Sequence, residues 1–241
     1  MMLENSTNLI ITAVAALLPS LVWLVIWLSE DRRRPEPAKI ILVTFIAGAA
    51  SVPLVLLAEQ YVGKLLIGDI PIRSAFRTAV GASFITLVAW SAIEEIGKYL
   101  AAKFSGLRRK DADEPLDMAV YMICAALGFA AMENFAFLYE NTLLDSFTIG
   151  NMRFLGATLL HVLTSGTIGV SLAFGYYKPR IQKVSYAAVG ILTAILLHAA
   201  FNFFIIYGNG YGMIASFAFV WVCCVGLLIA LQKTKKVRPC L

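Results

Sequence analysis

The chain has 241 residues, 60% of them hydrophobic and only 15% charged, and a mean hydropathy of +0.79. An ordinary globular domain carries roughly 25% charged residues, so this composition excludes a soluble domain. The net charge of +5 comes from basic runs between apolar stretches, which speaks for membrane orientation and against nucleic-acid binding.

Seven apolar stretches approach the ~20 residues needed to cross a hydrocarbon core. They fall at 8–28, 39–58, 76–102, 118–138, 153–176, 184–207 and 212–231. Each run is continuous rather than alternating, which predicts helices and no strands. The fold class is therefore all-α: a polytopic transmembrane helical bundle, one membrane domain over 1–241 with the lipid bilayer around it. The first stretch reads as a retained span and not a cleavable signal peptide. It has Glu4 in place of a basic leader, a long apolar run, and Arg32, Arg33 and Arg34 behind it. In the second, Pro53 is expected to kink the helix. The connection 59–75 contains Gly63, Gly68 and Pro71 and reads as turns lying on the outer surface. The fourth helix should begin at Pro115, after the mixed-charge loop 105–117. On the fifth, Gly166, Gly169, Ala173 and Gly175 permit close helix contact. Cys124, Cys223 and Cys224 read as apolar packing residues and Cys240 lies in a basic tail; no CxxC pair occurs.

The segments 29–38, 103–117, 177–183 and 232–241, with Lys39, hold 15 of the 20 Lys and Arg residues. The other side holds only Lys64, Arg73, Arg77 and Arg153, and Lys98 lies inside a helix. The positive-inside rule places the N-terminus outside and the C-terminus in the cytoplasm.

Against this apolar background the ionisable residues stand out. Glu94, Glu95 and Lys98 lie in TLVAWSAIEEIGKYL, Glu133 and Asn134 in CAALGFAAMENFAFLY, His161 in FLGATLLHVLTSG, and His198 and Asn202 in ILTAILLHAAFNFF. Both histidines of the chain and three of its 15 acidic residues are therefore in spans. A charge at the bilayer centre costs at least ~2.5–3.5 kcal/mol on insertion scales, so such residues face the protein interior and act there. Glu94 and Lys98 are at i and i+4, an ion-pair spacing whose bland reading is a structural seal. The functional reading makes one carboxylate of the Glu94–Glu95 pair a base that activates water. His198 and Asn202 share a helical face and suit an oxyanion, or form a buried polar network. His161, with Thr164 and Ser165 one turn on, suits the same task or a metal site. Zinc takes His and carboxylate ligands, and Glu95, His161 and His198 would supply them. HExxH spacing is absent, and two carboxylates with His and Asn activate water without metal, so both chemistries stay open. Glu133 has the alternative of a snorkelling residue near the outer boundary.

Taken together, EEIGK at 94–98, DEPLD followed by GFAAMEN ending at Asn134, LLHVLTSGTIG and LLHAAFN resemble the PrsW family of intramembrane proteases. The resemblance covers roughly residues 85–205, with four motifs in order on separate spans. It implies hydrolysis of a membrane-anchored protein substrate, an anti-sigma factor in the family, cut on the outer side of the cell membrane. A more distant similarity to the CAAX-prenyl protease superfamily implies Glu94 as the base, Glu95 and Lys98 in support, and His198 with Asn202 at the oxyanion. That superfamily carries His where this chain has Glu133, and His161 is the candidate for the missing role. With a third span beginning near 76, the Glu94–Glu95 pair would sit about 20–28 Å from its outer end, deeper than Glu133, His161 and His198 at about 9–14 Å. A transporter that relays protons or cations through the same residues is the alternative from another class, without the inverted repeat expected of one. A fold-retaining scaffold without activity is a third.

Overall fold

The computed structural model describes residues 2–31, 34–68, 83–139, 156–207 and 209–239. Seven α-helices are found there: α1 (Met2–Leu28), α2 (Ala38–Ile67), α3 (Phe84–Ala102), α4 (Pro115–Tyr139), α5 (Thr158–Phe174), α6 (Arg180–Tyr207) and α7 (Asn209–Thr234). A 3-10 turn, Ser29–Asp31, follows α1, and a π turn, Lys103–Leu107, follows α3. The described residues contain no strand. The all-α bundle read from the continuous apolar runs is the observed architecture.

The helices differ in how much of themselves they bury. α4 is 94% buried along its apolar window, against 22–28% for α1, α2, α6 and α7. It is a central post, packed by α1, α2, α3, α5 and α7. Residues such as Val25, Leu54, Ile181 and Val222 point outward from the surrounding helices. In a bilayer that is the low-energy arrangement, because lipid tails solvate apolar side chains as well as a protein core does. What then holds helices together is close packing, and small residues allow it. A Cβ on Gly48 of α2 would strike the Ala125 carbonyl of α4, and one on Gly128 of α4 would strike the Phe45 carbonyl of α2. The two backbones touch at both glycines.

Five helices are long and apolar enough to cross a membrane among the described residues: α1, α2, α4, α6 and α7. The two that fall short are informative. α5 is apolar but has only 17 residues, and α3, with 19, carries Glu94, Glu95 and Lys98. The polar residues singled out by sequence fall on these two helices and on α4 and α6.

Several boundaries differ from the sequence expectation, two of them by more than six residues. α2 does not stop at 58 but runs to Ile67, with Val52, Val55, Glu59 and Gly63 on its buried face. The 3.6-residue period continues through the polar letters; residues 69–75 of the expected outer connection lie outside the described residues. Second, α3 starts at Phe84, where Ser83 Oγ accepts a hydrogen bond from the Thr86 amide at 3.3 Å. A serine N-cap satisfies a donor that the first turn would leave unpaired, and residues 76–82 lie outside the described residues. This start puts Glu94 about 15 Å from the end of its helix at ~1.5 Å per residue. The expected depth mismatch of the glutamate pair is thereby removed. Pro53 lies within the continuous α2, and α4 begins at Pro115 as its sequence suggests.

The glycine contact yields a test. Gly128→Ala should force two backbones apart and cost about 1–3 kcal/mol, read as a lower melting temperature in detergent. Gly226→Ala, whose Cβ would meet nothing within 4 Å, should leave it unchanged.

Candidate active site

Four helices bring the ionisable residues to one place. Glu94, Glu95 and Lys98 come from α3, Glu133 from α4, His161 from α5 and His198 from α6. The Lys98 Nζ is the hub. It donates to Glu95 Oε1 at 2.6 Å and to His161 Nδ1 at 2.8 Å, and it lies 3.5 Å from Glu94 Oε2. It also sits 4.8 Å from the centre of the Phe129 ring, a cation–π contact. Lys98 and Glu95 are both fully buried. Neither could be there alone, because an unpaired buried charge is strongly destabilising.

Glu95 is saturated. Besides Lys98, its Oε1 accepts from Thr164 Oγ1 at 3.0 Å and from the His198 Nδ1–H at 2.8 Å, and Ser165 Oγ reaches its Oε2 at 3.5 Å. That fixes the tautomers by hydrogen-bond logic. With Nδ1 donating to Glu95, His198 keeps a lone pair on Nε2, 3.8 Å from Glu94 Oε1. With Nδ1 accepting from Lys98, His161 donates from Nε2 to Glu133 Oε2 at 3.0 Å. The two imidazoles meet edge to face, ring centres 5.5 Å apart. Asn134 Nδ2 donates to Thr158 Oγ1 at 3.2 Å, tying α4 to the start of α5. Asn202 is part-buried on α6, one turn beyond His198.

The cluster has a dry side and a wet edge. Glu95 and Lys98 side chains are wholly shielded, while those of Glu94 and Glu133 keep 12% and 13% exposure. Glu94 Oε2 is buried yet has no hydrogen-bond partner. An acceptor left so, beside a histidine lone pair, suits a cation. One donor atom each from Glu94, His161 and His198 lies within 4.8 Å of the others. Two imidazoles and a carboxylate are a set that fits a catalytic metal, and Glu94 is the carboxylate with an oxygen grouped with both histidines. Glu95 instead holds His198 from behind, as outer carboxylates do at metal-bound histidines.

A family model described as PrsW family intramembrane metalloprotease matches residues 36–231. The chain belongs to the PrsW family. It is 23% identical over 214 residues to Protease PrsW of Clostridioides difficile (strain 630), covering 88% of this chain and 85% of that protein. With Protease PrsW of Bacillus subtilis (strain 168) it shares 24% identity over 230 residues, 93% of this chain and 94% of the relative. No solved structure matches it. Membership makes the chain a multi-pass membrane protease and sets aside the transporter reading. The family match reaches further than the 85–205 core suggested by motifs, taking in α2.

That extension contains a residue that sequence reasoning placed elsewhere. Glu59 of α2 is 9% exposed, its carboxyl in hydrogen-bond reach of Glu94, and its backbone carbonyl accepts from Trp90 Nε1 at 3.1 Å. The signal was its place four residues after Val55 on the buried face, masked by the polar neighbours Gln60 and Lys64. Removing a side chain that orients a site residue typically costs 10–100-fold in activity. Glu59→Gln should lower cleavage by about that much at unchanged abundance; wild-type turnover would make it purely structural. Lys98→Met should be far more disruptive to the fold, with a loss of about 3–5 kcal/mol from the uncompensated Glu95, measured by thermal denaturation.

Proposed function

We propose that this protease hydrolyses a peptide bond in a membrane-anchored protein, an anti-sigma factor being the substrate class that its family suggests, at the cluster on α3 to α6. The single observation that carries the reading is the convergence of Glu94, Glu133, His161 and His198 inside an apolar bundle, with Glu94 and Glu133 at its wet edge. Glu59, Glu94, Glu133, His161 and His198 all lie within about 15 Å of the same ends of their helices at ~1.5 Å per residue. Those ends are the outer ones by the distribution of basic residues, which supports an extracytoplasmic cut.

Glu94, His161 and His198 are the residues that would hold the metal, and zinc is the ion that suits two imidazoles and one carboxylate. When bound it would supply Lewis acidity toward water and the scissile carbonyl. The residues around it do the rest. Glu95, anchored by Lys98, Thr164 and Ser165, keeps His198 in one tautomer with Nε2 facing Glu94. Glu133 is the carboxylate at the wet edge that can take a proton from water and return it to the leaving amine. Asn202, one turn from His198, offers an amide to the developing oxyanion.

A groove of about 750 Å³ between α2 and α3 supports entry from the bilayer. Small residues line much of it, including Ala47, Ala50, Ala58, Gly97 and Ala101, so a helix can lie close. Its walls include Val55, one turn before Glu59 on the same face, and Ile93, the residue before Glu94.

A second reading has one observation in its favour: both nitrogens of His161 are occupied, by Lys98 and by Glu133. In that reading Glu94 is the base, and His198, as an imidazolium with Nε2–H as donor, holds the oxyanion with Asn202 and without metal. Metal content and cleavage of an anti-sigma factor by purified protein, with and without chelator, decide between the two. Stoichiometric zinc and loss of activity on chelation, restored by zinc, are expected. Full activity in metal-free protein would leave the second reading. Glu94→Gln and His198→Ala should each lose about 10²–10³-fold in turnover. Wild-type cleavage by Glu94→Ala, Glu133→Ala and His198→Ala proteins alike would sink both.

A further inference from the structure

A second carboxylate cluster lies at the other end of the bundle, and proteolysis makes no use of it. Asp31 closes the turn after α1, Glu36 lies in the connection to α2, and Asp117 is in the first turn of α4. One oxygen from each lies within 4.8 Å of the others. Asp31 is 3% exposed and Asp117 1%, with Glu36 half-buried at the rim.

The decisive feature is what these oxygens lack. Asp31 Oδ2 and Asp117 Oδ1 are buried and have no hydrogen-bond partner. Two of the other oxygens are engaged: Asp117 Oδ2 accepts from the Glu114 amide at 2.6 Å, and Glu36 Oε2 accepts from the Tyr121 hydroxyl. The Glu36 and Asp117 carboxyls thus lie side by side as two acceptors. Nearby cations only partly answer this. Arg34 is bound to Glu114 at 2.6 Å, and Lys235 offsets part of the charge at Asp31. Buried acceptors without donors need another positive partner.

We propose that Asp31, Glu36 and Asp117 form a binding site for a hard divalent cation, Mg²⁺ or Ca²⁺. All-oxygen donors select such ions over the zinc that suits histidines. The basic loops put this end in the cytoplasm, so the site would be loaded from the compartment opposite the one where the peptide is cut. Its ligands come from the turn that closes α1, the connection to α2 and α4. The ion would thus tie the first helix, which contributes nothing to the catalytic cluster, to the central post. The inference is independent of the proteolytic mechanism.

The test uses the full-length protein in detergent, with Tb³⁺ as a luminescent stand-in for Ca²⁺. Tyr121, hydrogen-bonded to Glu36, would sensitise its emission. Emission that Ca²⁺ or Mg²⁺ displaces is expected, together with a melting temperature several degrees higher in Mg²⁺ than in EDTA. Both effects should vanish in Asp117→Asn and in Glu36→Gln and persist in His198→Ala, which alters only the catalytic cluster. If Asp117→Asn does not fold, Glu36→Gln at the rim decides alone. Three outcomes overturn the proposal: no Mg²⁺ effect on the wild-type melt, an effect that survives Glu36→Gln, or stabilisation by acid alone, which would mean that the carboxyls share protons instead.

Discussion

One ammonium group organises the interior of this protein. Lys98 reaches Glu95, His161 and Glu94 from a position without solvent. In such surroundings a charge survives only if its partners are fixed, and each partner here is fixed by a further one. Glu95 is held by Thr164 and Ser165, and it in turn holds His198; His161 is held by Glu133. The chain of contacts runs through α3, α4, α5 and α6. The geometry of the partly exposed edge formed by Glu94 and Glu133 therefore depends on a pair, Lys98 and Glu95, that is wholly buried. A site assembled in this way is pre-oriented before anything binds, the condition under which fixed dipoles and charges accelerate a reaction most.

The bundle supports that arrangement by concentrating burial in α4. Since apolar side chains gain little by leaving lipid, the outer helices keep wide apolar faces toward the bilayer. α5 is enclosed along its 17 residues, and among the long spans only α4 is enclosed along nearly its whole length. Glu133 projects from this enclosed helix near its outer end, and Asp117 from its first turn at the inner end. Both polar clusters of the protein are thus pinned to the same rigid element.

Much of this was legible in the residues. Long continuous apolar runs specify spanning helices almost without competition, because a bilayer admits few alternatives for backbone hydrogen bonds. Charged and imidazole side chains within such runs mark the site for the same energetic reason, and Glu94, Glu95, Lys98, Glu133, His161 and His198 are all brought together. The pairing within the cluster was not legible. Which nitrogen of His198 meets Glu94 and which meets Glu95 depends on the rotation of α3 against α5 and α6, which a helical period alone does not set. Glu59 was obscured because Gln60, Gly63 and Lys64 resemble the end of a span, although the buried face continues through them. The start of α3 was hidden in a moderately apolar stretch, where only Ser83 as a cap distinguishes helix from connection.

The backbone contact between α2 and α4 has a mechanical consequence. At Gly48 and Gly128 each helix rests on the other's carbonyl groups, so neither can slide or roll without a backbone collision. α2 and α4 then behave as one stiff body, and Glu59 and Glu133 keep a constant spacing across it. Between α2 and α3 side chains and not locked backbones line the groove, so a widening of that seam would move α3 against this body. The moving wall would carry Glu94 with it.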